Sequence, residues 1–298
     1  MKRLIATAIL LLLPASASAQ ELEPGAYWPI PKGLNIFTAV AGGNRGDVTF
    51  DPSLPVEDAE ARIGTAAFVF TRAFGLAGRS ANASFVLPVM NGHVKGVYLG
   101  QATQVDKFGL GDPKLKIGLN LFGAPAMTPR EFASYQQQLI VGVSFTAMPP
   151  LGGYDSTKVV NLGSNRWSFK PEVGLSQTYG KWVVEGMLGV WFFTDNTQFT
   201  GTRTREQDPI LATQFHFTRR FSSAMWLAAD ANFYTGGRTT IDGKQNLDLQ
   251  KNSRIGGTFS KGLGRGHAIR ASVSRGAYTT IGADFTSIAV GYNYAWVR

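Results

Sequence analysis

A chain of 298 residues with 29 Lys and Arg against 20 Asp and Glu is basic, at a formal +9, and it contains no cysteine. Disulfides and thiolate metal sites are therefore excluded as ways of holding it together. Its 35 Gly, 20 Phe and charged fraction of only 16% are unusual for a water-soluble globule, but they suit a sheet in which every second residue faces lipid.

The first predicted element is an export signal. Lys2 and Arg3 form a positive start, Leu4 to Leu13 an apolar core, and Pro14 ends it before the small-residue cleavage pattern Ala17-Ser18-Ala19. Residues 1–19 thus read as a signal peptide, with the mature barrel domain over 20–298. A membrane anchor fits less well, because a spanning helix needs about 20 apolar residues. Removing Lys2 and Arg3 lowers the charge from +9 to +7. Export argues against a nucleic-acid partner. The surplus suits lipopolysaccharide phosphates, anionic solutes or a positively lined lumen.

Beyond that point hydropathy alternates with a period of two. Leu115, Ile117 and Leu119 alternate with Lys114, Lys116 and Gly118; Val141, Val143 and Phe145 with Gly142, Ser144 and Thr146. Phe169, Val173 and Leu175 alternate with Lys170 and Glu172, Ile255 and Phe259 with Arg254 and Thr258, and Ile269 and Val273 with Arg270 and Ser272. The last strand carries Ile288, Val290, Tyr292, Tyr294 and Trp296 on one face. About twelve strands are predicted, starting near residues 34, 62, 80, 113, 136, 165, 181, 208, 224, 253, 267 and 285.

Alternation alone also fits a soluble sandwich. Loop lengths decide between them. Gly75–Gly78, Tyr179–Lys181, Ser222–Ser223 and Gly262–Gly266 are tight, whereas Gly43–Ala61, Asn91–Asp112, Pro149–Ser164, Asp195–Gln207 and Gly236–Asn252 are long. Short and long connections fall on opposite ends of the sheet, as in outer-membrane barrels. The fold class is therefore all-β: a single transmembrane antiparallel β-barrel with short periplasmic turns and long extracellular loops. An even strand number puts both termini in the periplasm. The long fourth connection, Phe122–Tyr135, breaks the rule. Its Thr128-Pro129-Arg130-Glu131 reads as a capping box opening a short periplasmic helix. Trp182, Phe192, Phe193, Trp226, Phe233, Tyr292, Tyr294 and Trp296 are read as aromatic girdles at the lipid interfaces.

The stretch Asp155 to Gln177, DSTKVVNLGSNRWSFKPEVGLSQ, resembles the "MetA-pathway of phenol degradation" family of outer-membrane transporters. Further matching pieces follow in order: Phe192 to Asn196, Arg205 to Pro209, Gly236 to Thr239 with Asp242-Gly243, and Gly282 to Phe285. Gly111-Asp112-Pro113 also fits. The resemblance implies uptake of aromatic catabolic substrates across the outer membrane and implies no catalytic chemistry. One departure is that Val297 and Arg298 follow the terminal aromatic Trp296.

Candidate chemistry is sparse. His93, His216 and His267 have no metal-ligand spacing, and there is no Gly-x-Ser-x-Gly elbow. Neither an enzyme nor a cofactor is expected. Gly262-Leu263-Gly264-Arg265-Gly266 reads as a turn rather than a phosphate loop, and Arg45-Gly46-Asp47 as a chance tripeptide in an external loop. The informative set is the inferred inner face: Lys114, Lys116, Arg166, Lys170, Glu172, Glu185, His216, Asp230, Arg254 and Arg270. Charges on the lipid side would cost several kcal/mol near the midplane, so these should point inward. They read either as a field that selects solutes or as ion-pair ladders that rigidify and plug the lumen. Tyr98, Phe108, Tyr154 and Phe199 add aromatic side chains in the loops. Pro171, mid-strand, marks a bulge, a lateral opening or a simple accommodation.

The expected function is an outer-membrane channel for small hydrophobic or aromatic compounds. The alternative is a structural or adhesive barrel with a filled lumen. Expected partners are outer-membrane lipid and lipopolysaccharide, the barrel-assembly machinery and a small-molecule solute.

Overall fold

The computed structural model describes residues 22–49, 56–98, 100–158 and 160–297. The predicted signal peptide lies outside them. The chain runs through β1 (Leu34–Thr49), β2 (Val56–Leu76), β3 (Arg79–Tyr98), β4 (Gln101–Leu110) and β5 (Lys114–Phe122). The helix α1 (Pro129–Ser134) precedes β6 (Ile140–Met148), β7 (Ser168–Tyr179) and β8 (Trp182–Phe193). Two short strands, β9 (Asn196–Phe199) and β10 (Arg203–Gln207), lead to β11 (Ile210–Ser222) and β12 (Met225–Gly236). After β13 (Thr239–Ile241) and β14 (Lys244–Gln245) come β15 (Gln250–Gly264), β16 (His267–Tyr278) and β17 (Gly282–Val297).

These strands close into an antiparallel barrel with twelve strand positions. Closure comes from β1, which pairs with β2 and, through Leu34↔Val297 to Thr49↔Gly282, with β17. One position is split. β3 pairs with β4 near the extracellular end and with β5 nearer the periplasm, the chain breaking at Gly111-Asp112-Pro113 between them. Closure pairs the spanning strands with one another, which is what crossing a bilayer with strands demands, whereas β4 pairs on one side only, with β3.

The barrel is apolar outside and polar inside. Leu115, Ile117, Phe145, Leu188, Phe215, Ile255, Ile288 and Val290 are exposed, whereas Thr146, Lys170, Glu185, His216, Thr218 and Asn252 are almost completely buried. This outward belt predicts a depth-dependent penalty. Leu188→Lys, mid-way along β8, should cost about 2–4 kcal/mol, read as a lower urea midpoint for unfolding from phospholipid vesicles. A cost well below 1 kcal/mol would place Leu188 away from lipid.

The expected twelve-strand ring and its tight turns are present, but two expected loops are largely strand. Within Gly43–Ala61, β1 continues to Thr49 and β2 begins at Val56 (50–55 lie outside the described residues). Within Asn91–Asp112, β3 and β4 form a tall hairpin. About 9–11 residues cross a bilayer, so β2 at 21 residues and β3 at 20 stand well beyond it, unlike β6 at 9. Above the lipid an outward side chain need not be apolar, and the alternation that marks a spanning strand disappears. Arg45 illustrates this: it lies in β1, not in a loop, and its Nε donates to Glu60 at 3.1 Å.

The helix in the fourth connection is present. The Glu131 N–H donates to the Thr128 hydroxyl at 3.3 Å, and the Thr128 N–H to the Glu131 carboxylate at 2.7 Å. These donors, the backbone N–H first, hold the Glu131 carboxyl below its ordinary range. Two girdle assignments are corrected. Trp226 is buried inside the barrel and Phe193 packs beneath the Arg166 guanidinium. Pro171 is simply accommodated: the pairing of β7 with β8 resumes in the same register, Phe169↔Phe192 and Glu172↔Gly189, and β6 pairs across it unbroken.

Candidate functional site

The segment 22–33 does not join the wall; it folds back into the lumen. Its hold is electrostatic first. Glu23 meets Lys116 at 2.5 Å and Lys114 at 3.6 Å, and its backbone N–H donates to Gln214 at 3.0 Å. The Gly25 N–H donates to the Glu185 carboxylate at 2.9 Å. Tyr27 is then seated in a slot, its hydroxyl 3.1 Å from the Glu172 carboxylate and 3.2 Å from Ser144 Oγ.

Two glycines on the inner face make that slot. A Cβ at Gly142 would stand 2.2 Å from the Tyr27 ring, and one at Gly174 2.0 Å from it. No residue with a side chain fits at either position while the ring stays. Trp28 completes the seal, edge-on to Trp226 at 5.5 Å and capped by Arg220 at 4.4 Å. Residues 22–28 therefore plug the lumen from within.

The opposite part of the inner wall is different in character. Ile63, Thr65, Ala67, Val86, Pro88, Met90 and Val94, on β2 and β3, line a cavity of about 550 Å³ above the plug. Its floor includes Leu22. Its roof is the 149–167 loop with Tyr154, Val160 and Leu162, together with Phe199 of β9 and Arg205 of β10. β9, β10, β13 and β14 form a small separate sheet that caps the extracellular mouth. The cap is fixed to the wall by a buried apolar cluster of Val48, Ala61, Val94, Val160, Phe199, Ile241 and Phe285. On its outside, Asp242 accepts from Arg203 at 2.8 Å, and this contact holds its carboxyl below the ordinary range.

The charged residues of the inferred inner face fall into separate groups. Lys114, Lys116, Lys170, Glu172 and Glu185 cluster around the plug, with Lys170 2.9 Å from Glu172 and only 2% of either side chain exposed. His216 and Asp230 pair at 2.7 Å in full burial, and the Thr258 hydroxyl donates to Asp230 at 2.6 Å. Arg254 donates to Ser274 at 2.9 Å and to the Phe285 carbonyl at 2.6 Å. Arg270 reaches over the Trp226 ring at 5.1 Å. Arg166 sits at the roof, bonded to Gln207. Among the loop aromatics, Tyr154 and Phe199 line the cavity, whereas Phe108 is 80% exposed on the outer surface. The sequence reading missed the plug, the apolar half of the wall and Arg205.

The profile of the family described as "Putative MetA-pathway of phenol degradation" matches residues 43–297. The chain belongs to this family. Among solved structures it is similar to the COG4313 outer membrane channel from Pseudomonas putida F1, at 21% identity and a TM-score of 0.78, covering 93% of this chain and 100% of that one. It is also similar to the transport unit of the autotransporter AIDA-I from Escherichia coli (7% identity, TM-score 0.53, 100% and 96% covered). The β domain of the Bordetella autotransporter BrkA gives 12% identity and a TM-score of 0.50, with 89% and 100% covered. These likenesses establish the barrel fold. No curated protein sequence matches the chain.

Proposed function

We propose that this family member is an outer-membrane channel for small hydrophobic or aromatic solutes of the phenol type, exported by a cleaved signal peptide. The observation that carries the reading is the cavity of about 550 Å³, whose β2–β3 wall is apolar where the rest of the lumen is charged. Burying a monoaromatic ring against Val86, Met90, Val94 and Phe199 removes apolar area from water at about 25 cal/mol per Å². The family description and the channel named among similar structures support the same reading. The alternative, a structural barrel with a filled interior, fits the plugged lower half but not the space above it.

A bulky side chain on that wall tests the reading. Ala67→Trp should narrow the cavity from its apolar wall. Uptake of radiolabelled phenol at low external concentration, in cells whose own copy is deleted, should be restored by the wild-type chain and several-fold less by Ala67→Trp. Equal uptake by the deletion strain and its parent would overturn the proposal.

A further inference from the structure

The roof of the cavity holds two arginines whose hydrogen-bonding capacity is not used up. Arg166 is 4% exposed and Arg205 is 8% exposed. Arg166 donates from one terminal nitrogen to Gln207, but its other terminal nitrogen, Nη1, has no partner; Arg205 Nε has none either. Each guanidinium is stacked on a ring, Arg166 over Phe193 at 4.4 Å and Arg205 over Phe199 at 5.2 Å, so both are fixed in place. Buried donors left open are costly, and a guanidinium is always charged.

Nearby carboxylates do not fill these positions. Asp112 is taken by the Gly152 and Ser164 N–H groups at 2.8 Å each and by the Ser164 hydroxyl at 2.7 Å. Asp248 is taken by the N–H and hydroxyl of Thr239, at 2.8 and 2.6 Å. Among the described residues neither arginine has a carboxylate within ion-pair distance. The same cavity runs from these two arginines to the apolar wall of Met90 and Val94. Charge at one end and hydrocarbon at the other define the shape of an amphiphile.

Building on the proposed channel function, we infer that the cavity takes small organic carboxylates with an apolar body, such as aromatic acids. The carboxylate oxygens accept from the guanidinium groups of Arg166 and Arg205, and the ring lies against the β2–β3 wall. Arginine suits this role because its planar donors match a carboxylate and charge-assisted bonds are the stronger kind.

The test is calorimetric titration of the full mature chain in detergent with benzoate and with benzyl alcohol, a neutral molecule of similar size. The wild type should bind benzoate at least about tenfold more tightly than benzyl alcohol. R166Q and R205Q should each remove about tenfold of benzoate affinity and leave benzyl alcohol unchanged, with heat-modifiable gel mobility showing that each variant is folded. The wild-type comparison stands without any variant. Equal affinity for the two probes, or arginine variants that bind benzoate as well as wild type, would overturn the carboxylate inference and leave a channel for neutral solutes. Binding of neither probe would overturn the inference and the channel reading together.

Discussion

Deleting residues 22–28 is expected to convert a closed barrel into one that conducts. The segment crosses the lumen, and its contacts are with the wall: Glu23 with two lysines, Gly25 with Glu185, Tyr27 in its glycine slot and Trp28 against Trp226. None of these residues belongs to a wall strand, so the ring of strands keeps its pairing when they are removed. In planar bilayers the shortened chain should show conductance steps where the intact chain is silent. Glu23→Lys should move in the same direction, because it sets a third cation beside Lys114 and Lys116 in a partly buried site. Gly174→Leu should do so sterically, since even a Cβ there would overlap Tyr27. A deletion variant as silent as the intact chain would show that something other than this segment closes the lumen.

The second large effect is on stability. Lys170 and Glu172 sit in full burial at 2.9 Å, and Lys170 also lies 5.3 Å from the Trp191 ring. Lys170→Met removes the near cation and leaves Glu172 with Lys116 at 3.8 Å. Leaving a buried carboxylate with only that longer contact costs up to about 3–5 kcal/mol, measurable as a reduced unfolding free energy in denaturant. Replacing both residues by Met should recover most of that loss, because the expensive state is the buried carboxylate without its near cation rather than the missing pair. The double variant should still loosen Tyr27, whose hydroxyl is 3.1 Å from the Glu172 carboxylate. Stability and closure would then separate. A Lys170→Met chain as stable as wild type would mean that Glu172 reaches water.

Much of this architecture is legible in the sequence because lipid imposes a period of two. Where a strand crosses the bilayer, as at Leu115 and Ile117 against Lys114 and Lys116, the outward residues must be apolar and the pattern is plain. The same parity also carried information that the aromatic reading overlooked. Trp226 is in step with Asp230, and Phe193 is in step with Glu185, so both belong inside. The capping box at Thr128 was readable because it is local, needing only residues three apart. The plug was not. Residues 22–33 contain three prolines and no repeating pattern, and the wall partners of 22–28 lie more than ninety residues away, as for Asn120 and Tyr27 at a separation of 93. Gly142 and Gly174 look like ordinary strand glycines until the ring they accommodate is known. Arg205 falls in a polar stretch that resembles an external loop, and only the folded cap brings it to Phe199 and the cavity.

The most direct test of the central claim is to locate a solute in the barrel. Crystals of the mature chain equilibrated with 4-bromophenol should show anomalous bromine signal in the lumen, between Met90, Val94 and Phe199, above the Tyr27 plug. Bromine found only on the outer apolar belt, with the lumen free of signal, would contradict the assignment of this cavity as the solute path.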